Sequence, residues 1–145
     1  MELIVKSYEE LALQELYEIL QARVAVFVVE QNCPYQEMDG KDPRCHHLFD
    51  RDGSTIEADL RGVRPGVSYP EAASGRVLTV GRGSGLGKKL MEEGIRLAGE
   101  LYPSDSLRIG AQVYARGFYE QLGFRQCSGE YQEAGIPHIE MLLER

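Results

Sequence analysis

"RGSGLGKKL", residues 82–90, places Gly83, Gly85 and Gly87 at alternate positions and then runs into a stretch of helical spacing. Glycine loses more backbone freedom on ordering than any other residue, so three of them at a helix entrance imply a tight bend or a close approach. Two phosphate-loop patterns fail on register. The P-loop pattern G-x-x-x-x-G-K-S/T needs glycine where Arg82 stands and a hydroxyl residue where Lys89 stands. The dinucleotide fingerprint G-x-G-x-x-G is broken because the glycines run G-x-G-x-G, and they lie past mid-chain. What remains is a strand end, a row of backbone N–H groups and the positive end of a helix dipole. That combination suits a pyrophosphate or similar anion, and Arg82 adds a charge beside it. Tight strand–helix packing is the other reading of the same glycines.

The elements on either side follow from periodicity. "ELIVK" (2–6) reads as a strand, and Ser7 with Glu10 has capping-box spacing, which starts a helix near residue 8. Leu13, Leu16, Tyr17, Leu20, Val24, Phe27 and Val28 repeat at helical spacing and predict its apolar face. The polar, proline-containing segment 30–44 is long enough to suggest a functional loop. "HHLFD" and "STIEADLRGV" flank a hairpin signal at Asp52-Gly53. A second loop (64–74) leads to the strand "GRVLTV" (75–80), which feeds the glycine stretch. Leu86, Leu90, Met91, Leu97 and Leu101 carry the next helix to Pro103. "LRIGAQ" (107–112) is a strand and "VYARGFYEQLG" (113–123) a short helix with Gly123 as its cap. A hairpin around Ala134-Gly135 closes the chain. The order predicts one α/β (α+β) domain over residues 1–145, with helices flanking a mostly antiparallel sheet of six to seven strands.

Composition narrows the partners. The 23 acidic against 16 basic side chains give a formal charge of -7, which argues against nucleic acid and favours a cationic substrate. No apolar run is long enough to span a membrane, and the N-terminus carries no secretory pattern, so a cytoplasmic protein is expected. Cys33, Cys45 and Cys127 are odd in number and widely spaced, as reduced thiols would be. Cys45-His46-His47 lacks a second ligand cluster, so no metal is expected.

R-x-x-G-x-G at 82–87, after a strand ending "VLTV", resembles the coenzyme A pyrophosphate loop of the GNAT N-acetyltransferase superfamily. The downstream Q-x-x-A-x-x-F-Y-x-x-x-G-F, from Gln112 to Phe124, resembles that superfamily's second cofactor motif. "LQARVAVFVVEQNCPYQEMDGKD", "RPGVSYPEAASGRV" and "GIPHIEM" are further similar to its ElaA-like branch. The resemblance implies acetyl transfer from acetyl-CoA to the amine of a small molecule or protein, by direct attack in a ternary complex. It implies a sheet splayed at a central parallel pair, with a notch opening after Val80 and Ala111. The backbones of Leu78 and Val80 would align the pantetheine arm. The amides of Gly83, Ser84, Gly85, Leu86, Gly87 and Lys88, with Arg82, would hold the pyrophosphate. Gln112 stands where an Asn is common and would hydrogen-bond the pantetheine. Tyr119 matches the tyrosine that protonates the departing thiolate, and a homodimer would be usual. Only Gly81 separates Val80 from Arg82, a shorter connection than many members have.

Acetyl transfer needs a neutral amine, a polarised carbonyl and a protonated leaving group. A backbone N–H near Val80 would polarise the carbonyl. Glu30, Glu37, Asp39, His47 and His138 lie in segments expected to line the acceptor side, as binding residues or as the base. Two other readings compete: a non-catalytic coenzyme A-binding module, and acyl transfer like that of acyl-homoserine-lactone synthases. The latter rests on R-x-x-V-F at 23–27 followed by Glu37, Asp39 and Asp42, which is similar to the N-terminal signature of those synthases.

Overall fold

The computed structural model describes residues 3–80, 85–103 and 106–144. Eight strands form one sheet in the order β1-β2-β3-β4-β5-β8-β6, with β7 also paired to β8. β1 (Ile4–Ser7), β2 (Cys45–Asp52), β3 (Thr55–Val63) and β4 (Ala72–Thr79) pair antiparallel in chain order. β5 (Leu107–Gln112) lies parallel to β4, and β8 (Ile136–Leu143) antiparallel to β5. The segment expected to be one strand before the closing hairpin is two, β6 (Arg125–Gln126) and β7 (Tyr131–Glu133). Ser128 explains the break: its Oγ accepts the Glu140 N–H at 2.8 Å, where a ladder carbonyl would otherwise stand.

The Ser7–Glu10 capping box closes only a short turn, Tyr8–Glu10, and α1 (Leu13–Val24) starts anew with the Ala12 N–H on Glu15. The helix is also rotated from its expected face. Leu13 is 88% exposed and Tyr17 68%, whereas Glu15, Glu18, Ile19 and Arg23 are buried. Ion pairs outweigh the apolar stripe here. Lys6 meets Glu15 at 2.9 Å, Arg51 meets Glu18 at 2.8 Å, and Arg23 lies between Glu37 and Asp42. The valine-rich continuation, Ala25–Glu30, is a wider helical turn in which the Gln31 and Cys33 N–H groups reach back five residues to Val26 and Val28.

On the other face, α2 (Leu86–Leu101) presses Leu90 and Met91 onto Leu48, Ala58, Leu60, Leu107, Ile109 and Met141. Gly94 permits this close approach, since a Cβ there would stand 2.9 Å from a Leu60 methyl. After β5 a single tight turn (Val113–Ala115) leads into α3 (Arg116–Gln121), and Gly123 ends it at φ +100°. Phe124 then enters the same core.

Among the described residues Arg23 is the largest fully buried side chain, and its removal would take from Glu37 and Asp42 one of the two guanidiniums that each holds. Arg23→Met should cost about 3–5 kcal/mol in urea unfolding, as a broken buried ion pair does.

Candidate functional site

β4 and β5 pair only at Ala72↔Leu107 and Ala73↔Arg108 among the described residues. The notch therefore opens at Ser74 and Ile109, earlier than the expected position after Val80 and Ala111. A bulge in β4 accounts for it. The β3–β4 register passes from Arg61↔Gly75 to Asp59↔Leu78, so Arg76 and Val77 stand opposite Leu60 alone. Arg76 adopts φ +51°, a conformation that L residues rarely take. An extra residue bends and twists a strand, which turns β4 away from β5.

The same register corrects which peptide groups face the notch. The Val80 N–H donates to the Glu57 carbonyl at 2.8 Å, and Asp59↔Leu78 lies two rungs further along the ladder. Leu78 and Val80 thus spend their peptide groups on β3, and by alternation those of Val77 and Thr79 face the open edge. Pairing along the notch thus falls to Val77 and Thr79 rather than to Leu78 and Val80, and the backbone N–H near Val80 that faces the notch is that of Thr79.

Gly85 opens α2 at φ +73°, the left-handed bend that glycine allows without strain. A Cβ on Gly87 would meet Thr79 Cγ2 and Phe118 at 3.9 Å, ordinary contacts, so packing alone does not require glycine there. Leu86 and Lys88 lie in the first turn of α2, which puts its N-terminus beside the end of β4. Arg82, Gly83 and Ser84 lie outside the described residues.

Tyr119 lies on α3, edge-on to Phe118 at 5.1 Å and to Phe124 at 5.9 Å. Burial pushes its phenol up to about 12, with a smaller contribution from Tyr114. The hydroxyl is therefore a proton carrier throughout the neutral range. Gln112 ends β5, and its Nε2 reaches Gln31 Oε1 at 3.4 Å.

The carboxylates of the 30–44 loop have other work. Glu37 Oε2 accepts from Arg23 Nε at 3.0 Å and from Arg76 Nε at 2.5 Å. Asp42 takes Arg23 through both oxygens and Arg61 through one, and Asp39 takes Arg61 through both. Burial tends to raise the pKa of Asp39, but the Arg61 guanidinium, the Lys41 N–H and Arg76 hold it far below the usual carboxylate range. Such a carboxylate is a poor base. His47 is wholly buried with Nε2 against the Asp42 carbonyl, and burial lowers its pKa. Glu30 closes the wide helical turn on the surface. The residues similar to the lactone-synthase signature, Arg23, Glu37, Asp39 and Asp42, thus form one ion-pair network. Arg61 and Arg76 complete it, and sequence reasoning missed both. His138 lies apart from it, on β8 opposite Gln112.

Comparison with known proteins agrees with this geometry. Residues 76–145 match the model of the acetyltransferase (GNAT) domain. ElaA of Escherichia coli K12 is 36% identical over 141 residues, covering 94% of this chain and 92% of ElaA. The chain belongs to the GNAT acetyltransferase family, in its ElaA-like branch. The crystal structure of E. coli ElaA superposes with a TM-score of 0.92 at 34% identity, covering 99% of both chains. That of an acyl-CoA N-acyltransferase from Pseudomonas aeruginosa does so with a TM-score of 0.92 at 37% identity, covering 98% of this chain and 99% of that one. This chain shares their architecture, including the parallel β4–β5 pair. No described helix is long and apolar enough to cross a membrane.

Asp59, beneath the ion-pair network, is fully buried, and neither carboxylate oxygen has a hydrogen-bond partner in the protein. Burial raises its pKa well above the usual value, against the pull of Arg23. The folded state thus keeps a proton that the unfolded chain releases, and stability falls as pH rises past the ordinary aspartate range. Asp39 and Asp42 have the opposite sign and lose their contribution as pH falls. Asp59→Asn should therefore raise Tm at pH 7–8 and flatten the alkaline side of a Tm-against-pH profile, leaving the acid side unchanged.

Proposed function

We propose that the protein transfers an acetyl group from acetyl-CoA to a primary amine, of a small molecule or a protein, in the reducing interior of the cell. The observation that carries this reading is the unpaired edge of β4, Val77 and Thr79, facing a notch beside β5. An extended amide-bearing chain such as pantetheine can add to that edge as a short strand. The left-handed Gly85 and the first turn of α2 supply N–H groups for a pyrophosphate, and the bare Gly87 leaves room beside them. The acyl-CoA thioester supplies the activated acetyl group.

The chain's own residues then divide the work. Val77 and Thr79 orient the thioester and offer the N–H groups that take up charge on its carbonyl oxygen. Tyr119 carries the proton for the departing sulfur. Burial makes it a weaker acid than a free phenol, so it acts by hydrogen-bonding the sulfur as negative charge develops and yields the proton late. Excess negative charge on the protein favours the approach of a cationic amine.

Calorimetry with coenzyme A tests the site, and free-thiol release with acetyl-CoA across a panel of amines tests the reaction. Absence of binding at millimolar coenzyme A would overturn the reading. Tyr119→Phe, which keeps the ring and its core contacts, should lower kcat about 100-fold with the coenzyme A affinity unchanged.

A further inference from the structure

Acetyl transfer to an amine that arrives as an ammonium needs a group to take its proton. We propose that His138 is that group, an assignment that rests on the acetyltransferase reading above. Of the other named candidates, Glu37 and Asp39 hold guanidiniums, His47 Nε2 faces a backbone carbonyl in the interior, and Glu30 lies on the surface at the end of the wide helical turn.

His138 is built differently. Its residue is 9% exposed, and Nδ1 lies 2.7 Å from the Ile136 carbonyl oxygen. A carbonyl only accepts, so Nδ1 carries the hydrogen and the neutral ring presents its lone pair at Nε2. Glu133 Oε2 stands 3.7 Å from Nε2, too far for a hydrogen bond to the neutral ring, so the Nε2 lone pair is not spent on it. Tyr131 stacks on the ring, centroids 5.9 Å apart and planes 28° apart, which fixes its orientation. Tyr131 is itself held by a hydroxyl hydrogen bond to Tyr69. Glu140, two residues along β8, is engaged with Arg108 at 2.8 Å.

The ring also stands on the side of the sheet that the acceptor would use. His138 pairs with Gln112, the last residue of β5, and cross-strand partners share a face about 5 Å apart. Along these strands Ile109, Ala111, Ile139 and Met141 face the α2 core, so Gly110, Gln112, His138 and Glu140 face the opposite side. The α2 N-terminus and the His138 wall thus flank the notch from opposite faces, as a ternary complex requires. The exposed Gly110 keeps this wall open: a Cβ there would stand 3.1 Å from the Tyr131 hydroxyl oxygen.

The step balances as follows. The ammonium gives one proton to His138 Nε2, and the neutral nitrogen attacks the thioester carbon, forming the C–N bond. The C–S bond breaks, sulfur leaves with its electron pair, and Tyr119 supplies its proton. The second nitrogen-bound proton restores Tyr119 through solvent, and His138 returns its own to solvent. One proton is released per amide formed.

Two measurements test the assignment. Long-range 1H–15N spectra of the free protein should show His138 as the Nδ1–H tautomer, and an Nε2–H tautomer overturns it. Kinetics then compare the most active alkylamine of the panel with hydroxylamine, which is already neutral near pH 7 and needs no proton removed before attack. His138→Gln should lower kcat for the alkylamine about 100-fold or more, and for hydroxylamine by less than about 5-fold, with coenzyme A affinity unchanged. In His138→Ala, added imidazole should restore part of the alkylamine rate. Equal losses on both acceptors would mean a structural role and sink the proposal, as would full activity with the alkylamine. Wild-type protein that binds no coenzyme A would instead remove the acetyltransferase reading beneath it.

Discussion

Glu37 holds two guanidiniums at once, Arg23 of α1 and Arg76 of the β4 bulge. Through that one carboxylate the first helix, the long loop after it and the bent strand become a single body. Arg76 also donates to the Glu37 carbonyl oxygen at 3.0 Å and lies over the Tyr35 ring. A residue at φ +51° is held in that conformation only by surroundings that over-determine it, and these contacts are those surroundings. The bulge in turn sets where β4 leaves β5, and so where the open edge begins. The geometry of the notch depends on a clamp on the far side of the strand.

Burying Arg23 and Arg61 against Glu37 and Asp42 has a large desolvation cost, and it is met here by multiple charge-assisted hydrogen bonds, to which the more exposed Asp39 and Arg76 contribute, rather than by isolated pairs. Asp59 shows the limit of that compensation, since its carboxyl shares the same interior without a hydrogen-bond partner and its pKa is driven upward. A polar interior on the α1 side and an apolar core on the α2 side give the sheet two unlike faces. The apolar side carries the helix whose N-terminus lies beside the end of β4, and the polar side carries the wall that includes His138.

Much of this was legible in the sequence because it rests on local signals. β5 was read at its observed limits, the turn after Asp52 is where the hairpin closes, and Gly85 and Gly123 sit at positive φ where a helix entrance and a helix cap were expected. What escaped is long-range. Arg61 and Arg76 make their partners 22 and 39 residues away, and no spacing rule announces such pairs. Asp59 and Arg61 alternate with Ala58 and Leu60, the pattern of a strand with one wet face, yet α1 and the loop cover that face. The apolar stripe of α1 misled for the same reason: its buried side is chosen by ions on β1, β2 and the loop. The phase of the open edge was lost through the bulge, because one extra residue in a strand exchanges the peptide groups that face each neighbour.

That exchange explains why the two short motifs were sufficient for the family but not for the atoms. The glycine stretch and the Gln112–Phe124 segment mark where a strand meets a helix, and helix entrances are encoded within a few residues. Which amides face the notch is decided instead by the bulge register between β3 and β4 and by the loop that clamps it, segments more than 30 residues apart. The wall around His138 is assembled from more distant pieces still: Tyr69 from the loop before β4, Tyr131 and Glu133 from β7, and His138 from β8. In the proposed reaction donor recognition would therefore sit on local structure, and acceptor recognition on contacts between loops and edge strands. In such a division the donor site can stay fixed while the acceptor changes, because substitutions at Tyr69, Tyr131 or Glu133 alter the wall without touching the β4 edge.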